Sequence, residues 1–199
     1  MTPRTKIASA FGGLAAVALG VPAGVSFAGT GERAPTETRP ATTQDDSFLG
    51  GGLTVPATLE PPPGNAVHAV LKARGVQIYT CTSGAWQLTE PAASLNGITL
   101  SPVRKVTALH FRGPSWESDQ DGSLVEGARP VSAPSTTPNS IPQLLITAAR
   151  TRGDGLFGGV TYIQRLATSG GVAPATTCTT GDTLAVPYRA VYRFFRKKS

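Results

Sequence analysis

Along much of this chain apolar and polar residues alternate with a period of two. Val76, Ile78 and Thr80 alternate with Gln77, Tyr79 and Cys81, and Ala85-Trp86-Gln87-Leu88 continues beyond Ser83-Gly84. That pattern predicts a hairpin with its turn at a glycine, entered by a strand from Val67 to Leu71 and punctuated at Arg74-Gly75. Asn96-Gly97 reads as a second turn, since this pair favours positive φ. Residues 103–111 form the next strand, with Val103, Lys105, Thr107, Leu109 and Phe111 on one side and Arg104, Val106, Ala108 and His110 on the other. Gly113-Pro114 ends it, Asp121-Gly122 reverses the chain, and residues 123–126 form a short strand.

Residues 129–142 are rich in Pro, Ser and Thr and predict a long surface loop. The apolar run at 143–150 suits a buried strand or two helical turns, and periodicity does not choose between them. Near the C-terminus, Leu184, Val186, Tyr188, Ala190, Tyr192 and Phe194 share one face, with Thr183, Arg189 and Arg193 on the other. This is a half-buried strand, and Pro187 places an edge or bulge near its start. Short strands, 23 glycines and 17 prolines predict an all-β antiparallel sandwich or barrel with long Pro/Gly-rich loops.

The N-terminus changes the compartment. Arg4 and Lys6 precede a Gly/Ala/Val/Leu-rich run over residues 7–21, and Ser26-Phe27-Ala28 offers a small-x-small cleavage site. Residues 1–28 therefore read as a secretory signal peptide, and no other apolar stretch reaches the roughly 18 residues of a membrane span. Residues 29–52 carry almost no large apolar side chain before Phe48 and read as a flexible linker, leaving 53–199 as a single secreted, extracellular domain. Loss of Arg4 and Lys6 would take the formal charge from +6 to +4. Much of the remainder sits at Arg193, Arg196, Lys197 and Lys198, a cluster that reads as a solvated chain end, although an anionic wall polymer or phosphate could bind there.

Cys81 and Cys178 are the only cysteines, and export places them where disulfides persist. One bridge between them is expected. There is no C-x-x-C spacing for a redox pair, and only His68 and His110 could join the thiolates as metal ligands, so no metal site is expected.

Gly75-Val76-Gln77-Ile78-Tyr79-Thr80-Cys81, then Gly113-Pro114-Ser115-Trp116-Glu117 with Asp121-Gly122-Ser123, then Ile141-Pro142, then Val160-Thr161-Tyr162-Ile163-Gln164-Arg165-Leu166 through Thr168 and Gly170-Gly171 to Cys178 form an ordered set. Together they resemble the DUF3455 family over roughly residues 55–195. The resemblance implies a small secreted domain of unknown function and supplies no catalytic residue. Gln143 departs from it, standing where a tryptophan is expected after Ile-Pro, and the region between Asn96 and His110 is longer than expected.

Gly153-Asp154-Gly155-Leu156-Phe157-Gly158 matches the dinucleotide pattern G-x-G-x-x-G, and some proteins of that family carry a malate dehydrogenase label. The pattern should open a helix within a βαβ unit. Here Val160-Thr161-Tyr162-Ile163 follows, and the chain ends too soon for a nucleotide domain, so a glycine-rich β-turn is expected and no nicotinamide cofactor.

The remaining chemistry is concentrated in residues 110–126, which hold one of two histidines, one of two tryptophans and four of the twelve carboxylates. His110, Glu117, Asp119 and Asp121 could form an acid/base or binding constellation, with Trp116 stacking on a sugar ring. The simpler reading makes Asp121-Gly122 a turn, Glu117 and Asp119 solvated charges, and Trp116 a core residue. Asp119-Gln120-Asp121-Gly122 lacks the further ligands of a calcium loop, and Gly113-Pro114-Ser115-Trp116-Glu117 lacks the last glycine of a nucleophile elbow. Nucleic-acid binding has only the basic C-terminus and its alternating aromatics to support it. The expectation is a disulfide-stapled extracellular binding or surface-associated module, without catalysis of its own, for a wall polymer or an extracellular protein. The alternative is a secreted hydrolase of a carbohydrate or other wall polymer working through Glu117 and Asp121.

Overall fold

A computed structural model describes residues 52–198. The expected signal peptide (1–28), and the expected linker (29–52) except its last residue, lie outside the described residues. Eight antiparallel strands in sequence order close into a barrel: β1 (Asn65–Thr82), β2 (Ala85–Leu100), β3 (Val103–Phe111), β4 (Ser115–Ser118), β5 (Leu124–Ala133), β6 (Gln143–Arg152), β7 (Val160–Gly170) and β8 (Thr183–Lys197). Each strand pairs with its neighbours in the chain, and β8 returns to pair with β1 over registers from Asn65↔Lys197 to Thr80↔Thr183. Closure removes the exposed edges that an open sheet would present.

Inward positions follow the period of two. Leu71 and Ala73 on β1, Ala93 and Leu95 on β2, Val106 and Ala108 on β3, and Tyr188, Ala190, Tyr192 and Phe194 on β8 are all buried in one core cluster. Small side chains on β1, β2 and β3 face the large rings of Trp116, Tyr192, Phe194 and Phe157, so the interior fills without a second sheet. A second, smaller cluster lies outside the wall. There a turn of 3₁₀ helix (Ala57–Leu59) buries Leu59 with Ala133, Leu145 and Leu166, and Leu53, Val55 and Tyr162 pack against it. Gln164 fixes the turn by donating from Nε2 to the Leu59 carbonyl at 2.7 Å.

Several turn expectations are corrected. Asn96-Gly97 is no turn: both residues lie inside β2, which reverses at Ser101-Pro102. A Cβ on Gly97 would stand 2.0 Å from the Val70 carbonyl oxygen, and one on Gly75 would stand 2.1 Å from that of Ala92. These glycines allow β1 and β2 to cross closely as they coil round the barrel, so β1 runs unbroken through Arg74-Gly75. β5 extends to Ala133, which shortens the expected 129–142 loop, and the ambiguous run at 143–150 is strand β6. Pro187 lies opposite Val76 of β1 but beyond Gly170, where β7 pairing ends, so its missing N–H breaks no β7–β8 bond. Cys81 and Cys178 form a disulfide, with Cα atoms 5.9 Å apart across 97 residues. It pins the end of β1 to the loop before β8.

Candidate functional site

The barrel has two chemically different ends. At one, here called the foot, the β6–β7 loop folds across the opening and buries Leu156 and Phe157. Phe157 packs on Phe194 with ring centroids 4.7 Å apart. The loop is held through its backbone. The Leu156 N–H donates to Asp121 Oδ2 and the Phe157 N–H to Ser123 Oγ, each at 2.9 Å, while Arg196 Nη2 donates to the Gly155 carbonyl at 2.6 Å.

The G-x-G-x-x-G glycines belong to this plug and open no helix. Gly153 has φ +75°, a Cβ on Gly155 would stand 2.1 Å from the Asp121 carboxyl carbon, and one on Gly158 would stand 2.5 Å from the Gly153 carbonyl oxygen. Tight folding and close approach to a carboxylate account for all three glycines.

At the other end, the mouth, the barrel stays open into a cavity of about 400 Å³. Its deep wall contains Gln77, His110, Trp116 and Tyr192, all at most 3% exposed. Strand register assembles them. His110 on β3 opposes Trp116 on β4, and Arg165 on β7 opposes Leu144 on β6 and Tyr192 on β8. The imidazole and indole are stacked, with centroids 4.3 Å apart and planes at 3°, and Tyr192 meets both edge-on at 5.4 and 5.6 Å. Gly127 makes room for this stack: a Cβ there would stand 2.5 Å from Ile146 and 3.2 Å from the Trp116 ring.

His110 Nδ1 lies 2.8 Å from the Ser115 carbonyl oxygen, which can only accept, so Nδ1 carries the proton and Nε2 keeps its lone pair. Burial drives the imidazole pKa down to about 3, against the Ser115 hydrogen bond and with help from the Arg165 charge. The ring is neutral at physiological pH. Burial pushes the Tyr188 and Tyr192 phenols up, so both stay protonated.

Three deep groups have polar atoms that make no well-formed hydrogen bond within the protein: Gln77 Nε2, Trp116 Nε1 and the Tyr192 hydroxyl, the last beside Tyr188 and Arg165. Buried polar atoms rarely remain so, because each costs its full desolvation. Arg165 is anchored by Nε and Nη2, which donate to the Pro142 carbonyl at 3.2 and 3.0 Å. At the rim, Arg112 Nε pairs with Glu90 Oε2 at 3.3 Å.

Of the residues singled out from the sequence, the fold brings His110 and Trp116 together in this cavity and sends the carboxylates elsewhere. Glu117 lies next along β4, so its side chain faces outward, 3.4 Å from Arg152 Nη2. Asp119 occupies the β4–β5 turn, where its N–H donates to the Thr107 carbonyl. Asp121 spends both oxygens on backbone, Oδ1 accepting from the Ser123 N–H and Oδ2 from Leu156. Burial raises its pKa, but the Ser123 and Leu156 interactions outweigh that and leave the carboxyl below its usual range. Among the described residues no group of three or more His, Cys, Asp or Glu could hold a metal ion, and no helix is long and apolar enough to cross a membrane.

Gln77, Arg165 and Tyr192 were not singled out from the sequence. Arg165 had a legible signal, as a charged side chain two residues beyond Ile163 and therefore in phase with the core of its strand. Gln143, at the expected tryptophan position, is buried and joins the β5–β6 loop to β7, donating to the Pro134 carbonyl and accepting from the Ala167 N–H.

The model of the DUF3455 family, described as a protein of unknown function, matches residues 62–196. This chain is a member of the DUF3455 family. The match spans the closed barrel, with plug, mouth and disulfide, so those features lie within the family region. No curated protein and no solved structure matches the chain.

Proposed function

We propose that this DUF3455 protein is an exported binding module and that the mouth of its barrel is the ligand site. The observation carrying this reading is the set of buried, unpartnered polar atoms on Gln77, Trp116 and Tyr192 around one open cavity. A cavity of about 400 Å³ with an apolar wall and a few convergent polar groups has the form of a small-molecule site. It suits a small molecule better than the wall polymer or protein partner expected from the sequence. Export rests on residues 1–28 as a signal peptide, and the disulfide fits an oxidising compartment.

The hydrolase alternative draws no support from the arrangement. Glu117 pairs with Arg152 on the outer wall, Asp121 holds the foot plug, and neither lines the cavity containing His110 and Trp116.

Thermal denaturation against a library of small organic compounds tests the reading. A ligand at about a hundredfold its Kd stabilises the fold by roughly 2.7 kcal/mol, a shift of several degrees. The expected result is a raised Tm with some compounds that disappears in Leu144→Trp, which fills the mouth. An unresponsive protein, or a shift that survives Leu144→Trp, contradicts it.

A further inference from the structure

We propose that the mouth selects small organic anions, in which a carboxylate is carried on a compact apolar body. This rests on the mouth being a ligand site and specifies the ligand's chemistry.

The argument begins with which atoms lack partners. Gln77 Nε2 and Trp116 Nε1 can only donate hydrogen bonds, and the Tyr192 hydroxyl, held protonated, can donate as well. Arg165 adds a permanent positive charge beside them. Nε and Nη2 each use one N–H on the Pro142 carbonyl, and the guanidinium also lies against the Tyr192 hydroxyl, which still leaves N–H groups for a ligand. Among the described residues Glu90 is the only carboxylate lining the cavity, and Arg112 already engages it. The cavity therefore offers donors and positive charge with no free carboxylate. A neutral acceptor would answer the donors but not the charge of Arg165, and a cation would meet repulsion from it.

A carboxylate supplies what is missing, since its two oxygens provide several acceptor sites and suit a guanidinium. The rest of the cavity limits the body that carries it. Leu88, Pro91, Pro114, Leu144 and Ile146 offer apolar contact. At about 400 Å³ the space accommodates a single ring or a short alkyl chain with its carboxylate.

The test titrates benzoate, cinnamate and octanoate, each beside its uncharged amide, into the purified protein by calorimetry. At least one carboxylate should bind, and bind at least about tenfold more tightly than its amide. Arg165→Gln should reduce that preference to about twofold or less with Tm nearly unchanged, because the guanidinium sits at the mouth and its loss leaves the core intact. Should Arg165→Gln fail to fold, Tyr192→Phe serves in its place and should lower the same preference severalfold. Amides that bind as well as their acids overturn the anion inference while leaving the mouth a binding site. If neither acids nor amides bind, the mouth reading falls too. A preference that both variants retain places the anion elsewhere and also overturns the inference.

Discussion

The two ends of the barrel are nearly matched in open volume and opposite in chemistry. A depression of about 410 Å³ at the foot, lined by Arg104, Lys105, Asp121, Asp154 and Arg196 among others, equals the mouth's 400 Å³. At the foot most of these charged side chains are exposed. Asp121 and Arg196 are committed to the plug backbone, although one nitrogen each on His68 and Arg196 lacks a partner. At the mouth the polar groups are deeply buried and three have unpartnered atoms. Volume does not distinguish a site from a structural seal here. Depth does: the unpartnered atoms of the mouth belong to fully buried residues, and those of the foot to the partly exposed His68 and Arg196.

The comparison can be sharpened by substitutions at each end. The largest effect belongs to the disulfide that ties the mouth's loops: Cys81→Ser with Cys178→Ser should cost about 4 to 5 kcal/mol of unfolding free energy, measured by urea denaturation. At the foot, Phe157→Ala should cost about 3 to 5 kcal/mol, because a fully buried ring leaves a cavity against Phe194.

His110 makes the mouth acid-sensitive. Its folded pKa of about 3 lies below the ordinary 6.5, so only the unfolded chain takes up a proton between those values. Its contribution is complete above about pH 6.5 and falls by a few kcal/mol as pH drops toward 3. Stability curves of wild type and His110→Gln should differ in slope across that window and run parallel above it.

Gly155→Ala should cost about 1 to 2 kcal/mol in the same denaturation assay. The added methyl displaces the Asp121 carboxylate and with it the bond to Leu156. A tolerated alanine there would show that the plug is not held as described.

Much of the fold was legible because local rules and tertiary structure agree. The alternation from Leu184 to Phe194 is the inner face of β8, and Ser83-Gly84 is the hairpin tip. Asn96-Gly97 misled because its glycine answers a steric demand from Val70 on the neighbouring strand, which no local pattern records. Barrel closure was equally hidden, since it depends on β1 meeting β8 across the whole domain. The site inherits that limit. His110 and Trp116 are six residues apart and read together, whereas Gln77, Arg165 and Tyr192 join them only once the sheet closes. The carboxylates near Trp116 looked functional because sequence proximity is preserved along a strand, while alternation sends Glu117 to the opposite face.

The most direct measurement is a side-chain ¹H–¹⁵N NMR titration of the protein with the same carboxylates. The Trp116 Nε1–H and Gln77 Nε2–H₂ signals should shift with ligand, while the Leu156 and Phe157 amides at the foot stay fixed. Shifts confined to the foot, or mouth signals unmoved at saturating ligand, would contradict the assignment of the mouth as the binding end.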